Sequence, residues 1–216
     1  MDIINKFKEN RNEENSKSMK KYMKDKFEFL GIKSPLRKEL QKEFLKGIDK
    51  NSTIDKELVK YLWDQEYREF QYLALDYLVK EKKKLQKEGI TFIKELITTK
   101  SWWDTVDLID SHLVGQICEK YPELVDEYIL RWSQAESMWL RRTAILYQLK
   151  YKEKTNKEVL ERVIKDNIED KRFFIQKAIG WSLREYSKVN KEWVRDFISN
   201  NNLSSLSIRE GSKYLD

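Results

Sequence analysis

Apolar residues recur every three or four positions along nearly the whole chain, which is the spacing of one face of an α-helix. The chain has 6 glycines and 2 prolines among 216 residues, so the turn signals that separate β-strands are almost absent. The pattern predicts an all-α protein of about a dozen short helices. Apolar faces run through Phe70, Ala74, Tyr77 and Leu78, through Val106, Ile109, Leu113 and Ile117, and through Phe174, Ile175, Ala178 and Ile179.

Helix starts are indicated by residues that favour the N-cap position, where a side chain accepts a hydrogen bond from the first turn of the helix. Proline is also tolerated near the first helical position, because it lacks an N–H that the helix would leave unpaired. The candidates are Ser34 with Pro35, Ser52 or Thr53, Thr155 or Asn156, Asp170, and Pro122.

Three segments resemble one another when they are aligned on an alanine. Ala74, Ala144 and Ala178 are separated by 70 and 34 positions, which indicates a repeating unit of about 35 residues. A small residue where helices cross, with large residues one turn away, suits helix pairs stacked in a solenoid. The sequence therefore predicts a helical-repeat solenoid, an α–α superhelix with a concave face. The register is poor near residue 109, so an irregular helical bundle is the alternative.

The charge balance is compatible with several classes of partner. The chain has 43 basic and 37 acidic residues, a formal net charge of +6 and an isoelectric point near 9.1. Such a balance suits nucleic acid or an anionic membrane surface, and it also suits a lysine-rich surface that only contacts water. Net charge alone does not decide between them.

Several kinds of site are excluded or disfavoured by composition. Cys118 is the single cysteine and His112 the single histidine, so an intramolecular disulfide, a thiolate cluster and an HExxH zinc site are impossible. The glycine-rich fingerprints of nucleotide binding and the GxSxG nucleophile elbow are absent. We therefore expect no metal and no cofactor, with both residues structural. No segment approaches the about 20 apolar residues of a membrane span, and residues 1–6 do not resemble a signal peptide, so we expect a cytoplasmic protein.

The segment Ser101–Asp107, with the sequence SWWDTVD, is the strongest local candidate for a site. Trp103 and Asp107 are four residues apart, so on a helix they project from one face. An indole face beside a carboxylate suits a cationic group. Trp181 has a polar neighbour at helical spacing in Arg184, although packing is the commoner role of a tryptophan. The tryptophans predicted to serve packing are Trp63, Trp132, Trp139 and Trp193.

Basic residues cluster at two predicted helix starts, Arg141-Arg142 and Lys171-Arg172. They could form a row that contacts phosphates, where each cation adds salt-dependent affinity. A basic face in contact with water is the usual alternative. Around Tyr22 the row could be extended by Lys20, Lys21, Lys24 and Lys26.

Taken together, these residues resemble the AlkD-type DNA alkylation repair glycosylases, which are HEAT-like helical repeat proteins. The resemblance covers almost the whole chain, and the blocks WWDTVD and FIQKAIGW together make it specific. The matching segments are 22–24, 29–32, 100–107, 139–144, 173–186 and 207–210.

By position, the resemblance assigns roles to individual residues. It implies that Asp107 is the catalytic aspartate, that Trp103 and Trp181 contact the sugar, that Arg142 is the site arginine and that Tyr22 probes the duplex. All of these positions hold the residue type that the family has. The further positions that match, with implied DNA-binding roles, are Arg184, Phe173 and Phe174.

The resemblance implies one helical-repeat DNA glycosylase domain over residues 1–216, acting in base excision repair as a monomer on double-stranded DNA. The implied reaction is hydrolysis of the N-glycosidic bond of cationic N3- and N7-alkylated purines such as 7-methylguanine, 3-methyladenine and bulky adducts, without an enclosing base pocket. Asp107 would stabilise the positive charge that develops on the deoxyribose and would position the attacking water. Since no lysine is singled out as a Schiff-base nucleophile, a monofunctional enzyme is favoured.

Two other functions are open to a chain of this kind. A non-catalytic HEAT-repeat protein could bind distorted or damaged DNA without releasing a base. A protein-interaction scaffold is the commonest use of helical repeats, and fold analogy alone does not exclude it. The combination of Trp103, Asp107, Arg142 and Trp181 favours the enzyme.

Overall fold

A computed structural model of the chain describes residues 2–49 and 51–215. The regular structure of these residues is helical, and they contain no β-strand beyond an isolated backbone pairing of Glu28 with Tyr67. The prediction of an all-α helical repeat fold is therefore confirmed. Within the same residues, no helix is both long enough and apolar enough to cross a membrane.

The chain divides into two compact units, Met1–Lys84 and Leu85–Asp216. The single domain over residues 1–216 stays a prediction beside this division. The first unit contains α1 (Ile3–Glu9), α2 (Glu13–Tyr22), α3 (Ser34–Lys46), α4 (Lys56–Asp64), α5 (Arg68–Glu81) and a 3₁₀ turn at Lys82–Lys84.

In the first unit, the buried carboxylate of Glu69 fixes the segment that follows α2. It accepts hydrogen bonds from the backbone N–H groups of Leu30, Gly31 and Ile32 at 2.9–3.1 Å. Gly31 has a φ of +87°, and a Cβ there would lie 2.0 Å from the carbonyl oxygen of Asn12. Only glycine fits this close approach of two backbone segments.

The second unit holds the rest of the helices. Its core joins α10 to α6, α7 and α12, while α12 also packs along α14. Ala144 on α10 and Ala178 on α12 are completely buried, as expected for small residues where helices cross. The helices are α6 (Gly89–Thr98), α7 (Trp103–Ile109), α8 (Gly115–Lys120), α9 (Leu130–Trp132), α10 (Met138–Leu146), α11 (Lys157–Lys165), α12 (Phe173–Ser187), α13 (Lys191–Asn200) and α14 (Ser205–Gly211), with a 3₁₀ turn at Lys152–Lys154.

Two stretches of the second unit are π-helical. The stretch Asp110–Val114 joins α7 to α8 without a break, so one continuous helix runs from Trp103 to Lys120. The other stretch, Val125–Ile129, leads into α9. In a π-helical stretch each backbone hydrogen bond spans five residues instead of four, so the helix is locally wider. Such stretches are frequent at functional sites. The first of them lies directly after the SWWDTVD segment.

Candidate functional site

The candidate site is built on the first turns of α7. Trp102 occupies the N-cap position, Trp103 is the first helical residue, and Asp107 lies one turn further on. Trp103 and Asp107 are both half-buried. The helical spacing that the sequence predicted between them is therefore present.

Arg142 on α10 holds the Asp107 carboxylate. Its Nε donates a hydrogen bond to Oδ1 of Asp107 at 2.8 Å, and its Nη1 donates to the carbonyl oxygen of Phe174 at 2.5 Å. The Arg142 side chain is 1% exposed, whereas that of Asp107 is 23% exposed. The pair thus has a buried cation behind a carboxylate whose outer edge reaches solvent, and two directional bonds fix the guanidinium.

Burial raises the pKa of Asp107, and the charge and hydrogen bond of Arg142 oppose that rise. The neighbouring Asp104 adds to the rise through like-charge repulsion. The ionised form of Asp107 therefore depends on Arg142. Among the described residues, Oδ2 of Asp107 has no hydrogen-bond donor. A carboxylate of this kind, partly removed from water, can attract a cation more strongly than one that is fully hydrated.

Three side-chain cations surround the ring of Trp181 on α12. The guanidinium of Arg142 lies 5.3 Å from the ring centroid, the Lys177 ammonium 5.8 Å and the Arg184 guanidinium 5.8 Å. These are distances at which the ring quadrupole attracts a cation. The structure therefore brings Trp181, Arg142 and Arg184 together, and it adds Lys177, which was not among the predicted site residues. The signal was the spacing of four between Lys177 and Trp181.

Glu210 on α14 anchors this cationic group and was also missed as a site residue. Its carboxylate oxygens lie 2.8 Å from Nζ of Lys177, 2.8 Å from Nζ of Lys213 and 3.3 Å from Nη1 of Arg184. The hydrogen bonds from Lys177 and Lys213 lower the pKa of Glu210 to about 2, although burial opposes them. Glu210 can approach because residue 180 is a glycine, where a Cβ would lie 2.5 Å from the Glu210 Cβ.

An aromatic cluster lies beside the ion pair and consists of Trp102, Trp139, Phe173 and Phe174. The ring centroid of Phe174 lies 5.2 Å from the ring centroids of both Trp102 and Trp139. It lies 5.4 Å from the ring centroid of Phe173. Phe174 is half-buried, and its carbonyl oxygen anchors Arg142. Phe173 is 57% exposed, so it presents an apolar ring to solvent. Trp139 packs within this cluster, which matches its predicted packing role.

The predicted basic row is partly neutralised by acidic partners. Asp170 lies 2.5 Å from Nη2 of Arg172 and 3.5 Å from Nη1 of Arg141, and the hydrogen bonds from Arg172 lower the pKa of Asp170. Arg142 is committed to Asp107. Three arginines of the two basic pairs are thus in ion pairs within the protein.

Tyr22 ends α2 in the first unit, and its side chain is 68% exposed. The next turn is unusual, because Lys24 and Asp25 both have positive φ angles of 58° and 55°. Lys20 pairs with Glu28 at 2.6 Å. Lys21 and Lys24 are exposed and have no ion pair among the described residues.

Cys118 and His112, the two residues judged structural from the sequence, both lie on the continuous helix from Trp103 to Lys120. The part of the chain that the structure describes has no cluster of three or more histidine, cysteine, aspartate or glutamate residues that could hold a metal ion. Cys118 is buried, and burial raises the pKa of its thiol to about 12. His112, in the first π-helical stretch, has its ring nitrogen Nε2 in contact with Nζ of Lys150.

Comparisons with known proteins agree on one family. The model of the family described as "DNA alkylation repair enzyme" matches residues 3–215. A predicted DNA alkylation repair enzyme from Enterococcus faecalis is 36% identical, with 95% of this chain and 96% of that chain covered and a TM-score of 0.87. AlkD2 from Streptococcus mutans is 20% identical, with 86% and 91% covered and a TM-score of 0.62, which supports the fold. No curated protein matches the chain.

Proposed function

Because the chain belongs to the DNA alkylation repair enzyme family, we propose that it is a monofunctional DNA glycosylase that hydrolyses the N-glycosidic bond of cationic N3- and N7-alkylated purines in duplex DNA. The observation that carries the proposal is the ion pair of Asp107 and Arg142 beside two tryptophans. A role in DNA alkylation repair follows from the family itself, and the substrates and mechanism are our proposal.

The chemistry needs little help with the leaving group, since an alkylated purine is already positively charged and leaves as a neutral base. What must be stabilised is the positive charge that develops on the deoxyribose as the bond breaks. Asp107 has a partly exposed, partly desolvated carboxylate, and Arg142 holds it in one orientation at 2.8 Å. We propose that Asp107 stabilises this charge, and that its Oδ2 orients the attacking water.

Trp103 and Trp181 are proposed to flank the sugar with their ring faces. The cations around Trp181 support a further role for that ring as the link between the site and the DNA backbone. Lys177, Arg184 and Lys213 place three positive charges around the carboxylate of Glu210. Among the described residues only Arg184 has a second, longer ion pair, at 3.9 Å to Glu185, so an excess of positive charge remains that suits phosphate groups.

The remaining parts of the proposal concern DNA and the cellular setting. We propose that Tyr22 in the first unit and Phe173 and Phe174 in the second unit each contact duplex DNA, supported by the exposure of Tyr22 and Phe173. The repeats are proposed to be of the HEAT-like type. The enzyme would act as a cytoplasmic monomer on chromosomal DNA, without a base-enclosing pocket and without a cofactor, because the substrate already carries the charge that drives departure of the base.

The test is the release of 7-methylguanine from methylated duplex DNA by the parent protein and by Asp107→Asn. We expect release by the parent and a loss of about 100-fold or more in the variant, because the amide cannot offset positive charge. Asp104→Asn is the matched control, as it removes a carboxylate from the same helix, and it should retain most of the activity.

Binding to methylated and unmodified duplexes is measured in parallel. If the parent binds duplex DNA and Asp107→Asn binds equally, but neither releases a base, the non-catalytic DNA-binding alternative replaces our proposal. If the parent neither releases a base nor binds DNA at moderate salt, the protein is a scaffold for other proteins.

A further inference from the structure

Asp110 is a second acidic residue next to the ion pair, and nothing in the proposed mechanism uses it. It begins the π-helical stretch Asp110–Val114, three residues after Asp107 on the same continuous helix. Its side chain is completely buried, and neither carboxyl oxygen makes a hydrogen bond of good geometry among the described residues, although the backbone N–H of the adjacent Ser111 acts on it. A buried carboxylate without a partner is strongly unfavourable, so a native structure that contains one requires an explanation.

Three charged side chains influence the ionisation of Asp110. Asp107 repels the ionised form, while Arg142 and, more weakly, Lys150 attract it. Burial and the charge of Asp107 raise the pKa of Asp110 well above its ordinary value, and the attraction of Arg142, the Ser111 N–H and Lys150 does not offset them.

Besides Arg142, the neighbouring elements carry one other buried titratable group, the Cys118 thiol on α8, whose pKa burial raises, and their remaining titratable groups lie further towards solvent. Asp104 on α7 and His112 in the π-helical stretch are half-buried. The charged residues of α6, α8 and α10 that complete the surroundings are exposed or half-buried, and they are Lys94, Glu95, Glu119, Lys120 and Arg141.

Two carboxyl groups thus share the field of one buried guanidinium. Arg142 gives its Nε to Asp107 at 2.8 Å and its Nη1 to the carbonyl oxygen of Phe174 at 2.5 Å. Two neighbouring carboxylates in a region of low dielectric cannot both ionise easily, and the one with the direct ion pair loses its proton first. Here that carboxylate is Asp107.

We propose that Asp110 is a positioning residue that remains protonated, so that the buried guanidinium of Arg142 stays committed to Asp107. A neutral Asp110 explains how an unpaired carboxyl is tolerated in the core of the second unit. When Asp110 ionises, its charge competes for Arg142 and repels Asp107, which weakens the alignment of the pair. The catalytic consequence rests on the proposed glycosylase function, whereas the protonation state does not.

The first experiment compares the unfolding midpoints of the parent and Asp110→Asn between about pH 5 and about pH 8. In the unfolded chain, Asp110 is ionised throughout this range, so the native parent binds one proton more than the unfolded parent and loses stability as pH rises. The variant has no such proton. Its midpoint should therefore rise relative to that of the parent with increasing pH, and a difference that is constant across the range overturns the proposal.

The control for this comparison is Asp126→Asn. Asp126 is an exposed carboxylate in the other π-helical stretch. Its replacement removes the same charge without removing a buried acid, so this variant should follow the parent at every pH.

A measurement on the parent alone covers the case in which Asp110→Asn does not fold. Infrared spectra of protein with ¹³C-labelled aspartate carboxyl groups separate aspartates from glutamates such as the buried Glu69. We expect the band of one protonated aspartic acid at neutral pH. A spectrum in which every aspartate is ionised would refute the protonated Asp110.

The positioning role is tested by the pH profile of 7-methylguanine release. Release by the parent should fall on the alkaline side as Asp110 ionises, and Asp110→Asn should shift that fall to higher pH or remove it. If the parent and Asp110→Asn lose activity at the same alkaline pH although Asp110 is protonated in the parent, Asp110 has no role in positioning. That result would overturn the positioning part of the proposal. If the parent releases no base at all, the glycosylase proposal fails, while the stability and infrared results still decide the protonation state.

Discussion

Arg142 makes two directional hydrogen bonds from one planar group, one to the Asp107 carboxylate and one to the Phe174 carbonyl oxygen. A lysine has a single ammonium group on a flexible stem and cannot reach both acceptors in this geometry. The residue thus couples the helix that carries Asp107 to the start of the helix that carries Trp181.

We therefore expect Arg142→Lys to retain the fold and to lower base release by about 100-fold, because the Asp107 carboxylate loses its fixed orientation. The free energy of unfolding should fall by about 2 kcal/mol, since buried hydrogen bonds to a charged group are lost. Single-turnover release of 7-methylguanine and urea unfolding measure the two effects.

The matched control is Arg141→Lys on the same helix. Arg141 donates to Asn167 at 2.7 Å and lies 3.5 Å from Asp170, away from the Asp107 pair. It should lose some stability but keep its rate of base release. Equal rates for the parent and Arg142→Lys would show that the orientation of Asp107 by Arg142 does not matter.

At the scale of single residues, the sequence predicted the spacing of Trp103 and Asp107, because helical periodicity alone determines it. The partner of Asp107 could not be derived from spacing, since Arg142 lies 35 positions away and meets it only through packing of α10 on α7. The burial of Asp110 could not be predicted from the sequence either, because an aspartate in a helical segment normally faces solvent.

At the scale of elements, α14 packs along α12, and one buried carboxylate of α14 pairs with two side chains of α12. The side chain of Glu210 is 5% exposed and pairs with Lys177, Arg184 and Lys213. A short helix near the end of the described chain is thereby joined to the helix that carries Trp181.

Replacing this carboxylate in Glu210→Gln should lower the free energy of unfolding by about 1 kcal/mol at neutral pH, a modest effect because the lysine partners reach water. The pKa of Glu210 in the folded protein is lowered to about 2 from an ordinary value of 4.5. Its stabilising effect is therefore complete above the ordinary value and is lost as pH falls towards about 2.

Urea unfolding of the parent and Glu210→Gln across this acid range measures the effect. Glu161→Gln is the control, as Glu161 pairs with Lys165 at 2.6 Å on α11 and shares no ion-pair partner with Glu210 among the described residues. A difference between the parent and Glu210→Gln that persists unchanged into strong acid would contradict the ion-pair origin of the effect.

Helix boundaries followed the sequence in part. Asn156 caps α11 as predicted, and its side chain accepts from the N–H of Val159. The predicted caps Ser52 and Thr53 were wrong, because Asp55 caps α4. Ser34 is the first residue of α3, and Lys33 precedes it at the cap position. The two π-helical stretches had no sequence signal, since the same residue types form α-helices and only packing selects the wider turn.

At the scale of the whole molecule, many of the 43 basic residues are neutralised by acidic residues in local ion pairs, and a formal net charge of +6 remains. Lys21 and Lys24, beside Tyr22, are exposed cations without an ion pair among the described residues. If these two lysines contact phosphates, they should contribute to the salt dependence of the affinity for duplex DNA.

We expect Lys21→Gln and Lys24→Gln each to reduce the slope of log affinity against log salt by about 0.9, the value for one phosphate contact on duplex DNA. Lys154→Gln is the control, because Lys154 is exposed but pairs with Glu119 at 2.6 Å. Fluorescence anisotropy over a range of salt gives the slopes. Three variants with the slope of the parent would exclude a contact between this turn and the DNA backbone.

The fold was predictable at this scale because period and repeat are properties of sequence that many residues share. The division into two units after Lys84 was not predicted. Residues 82–84 are three consecutive lysines that form a 3₁₀ turn after α5, and no proline or glycine marks a boundary there.

The buried thiol of Cys118 has a consequence for the chemical durability of the protein. Methylating agents react with thiolates, and the high pKa of this lone cysteine, together with its burial, keeps it protonated and almost entirely out of contact with solvent. A repair protein works while such agents are present in the cell. The thiol is thus protected in the folded state, so this member of a DNA alkylation repair family keeps its one cysteine intact in the presence of the reagents that alkylate DNA.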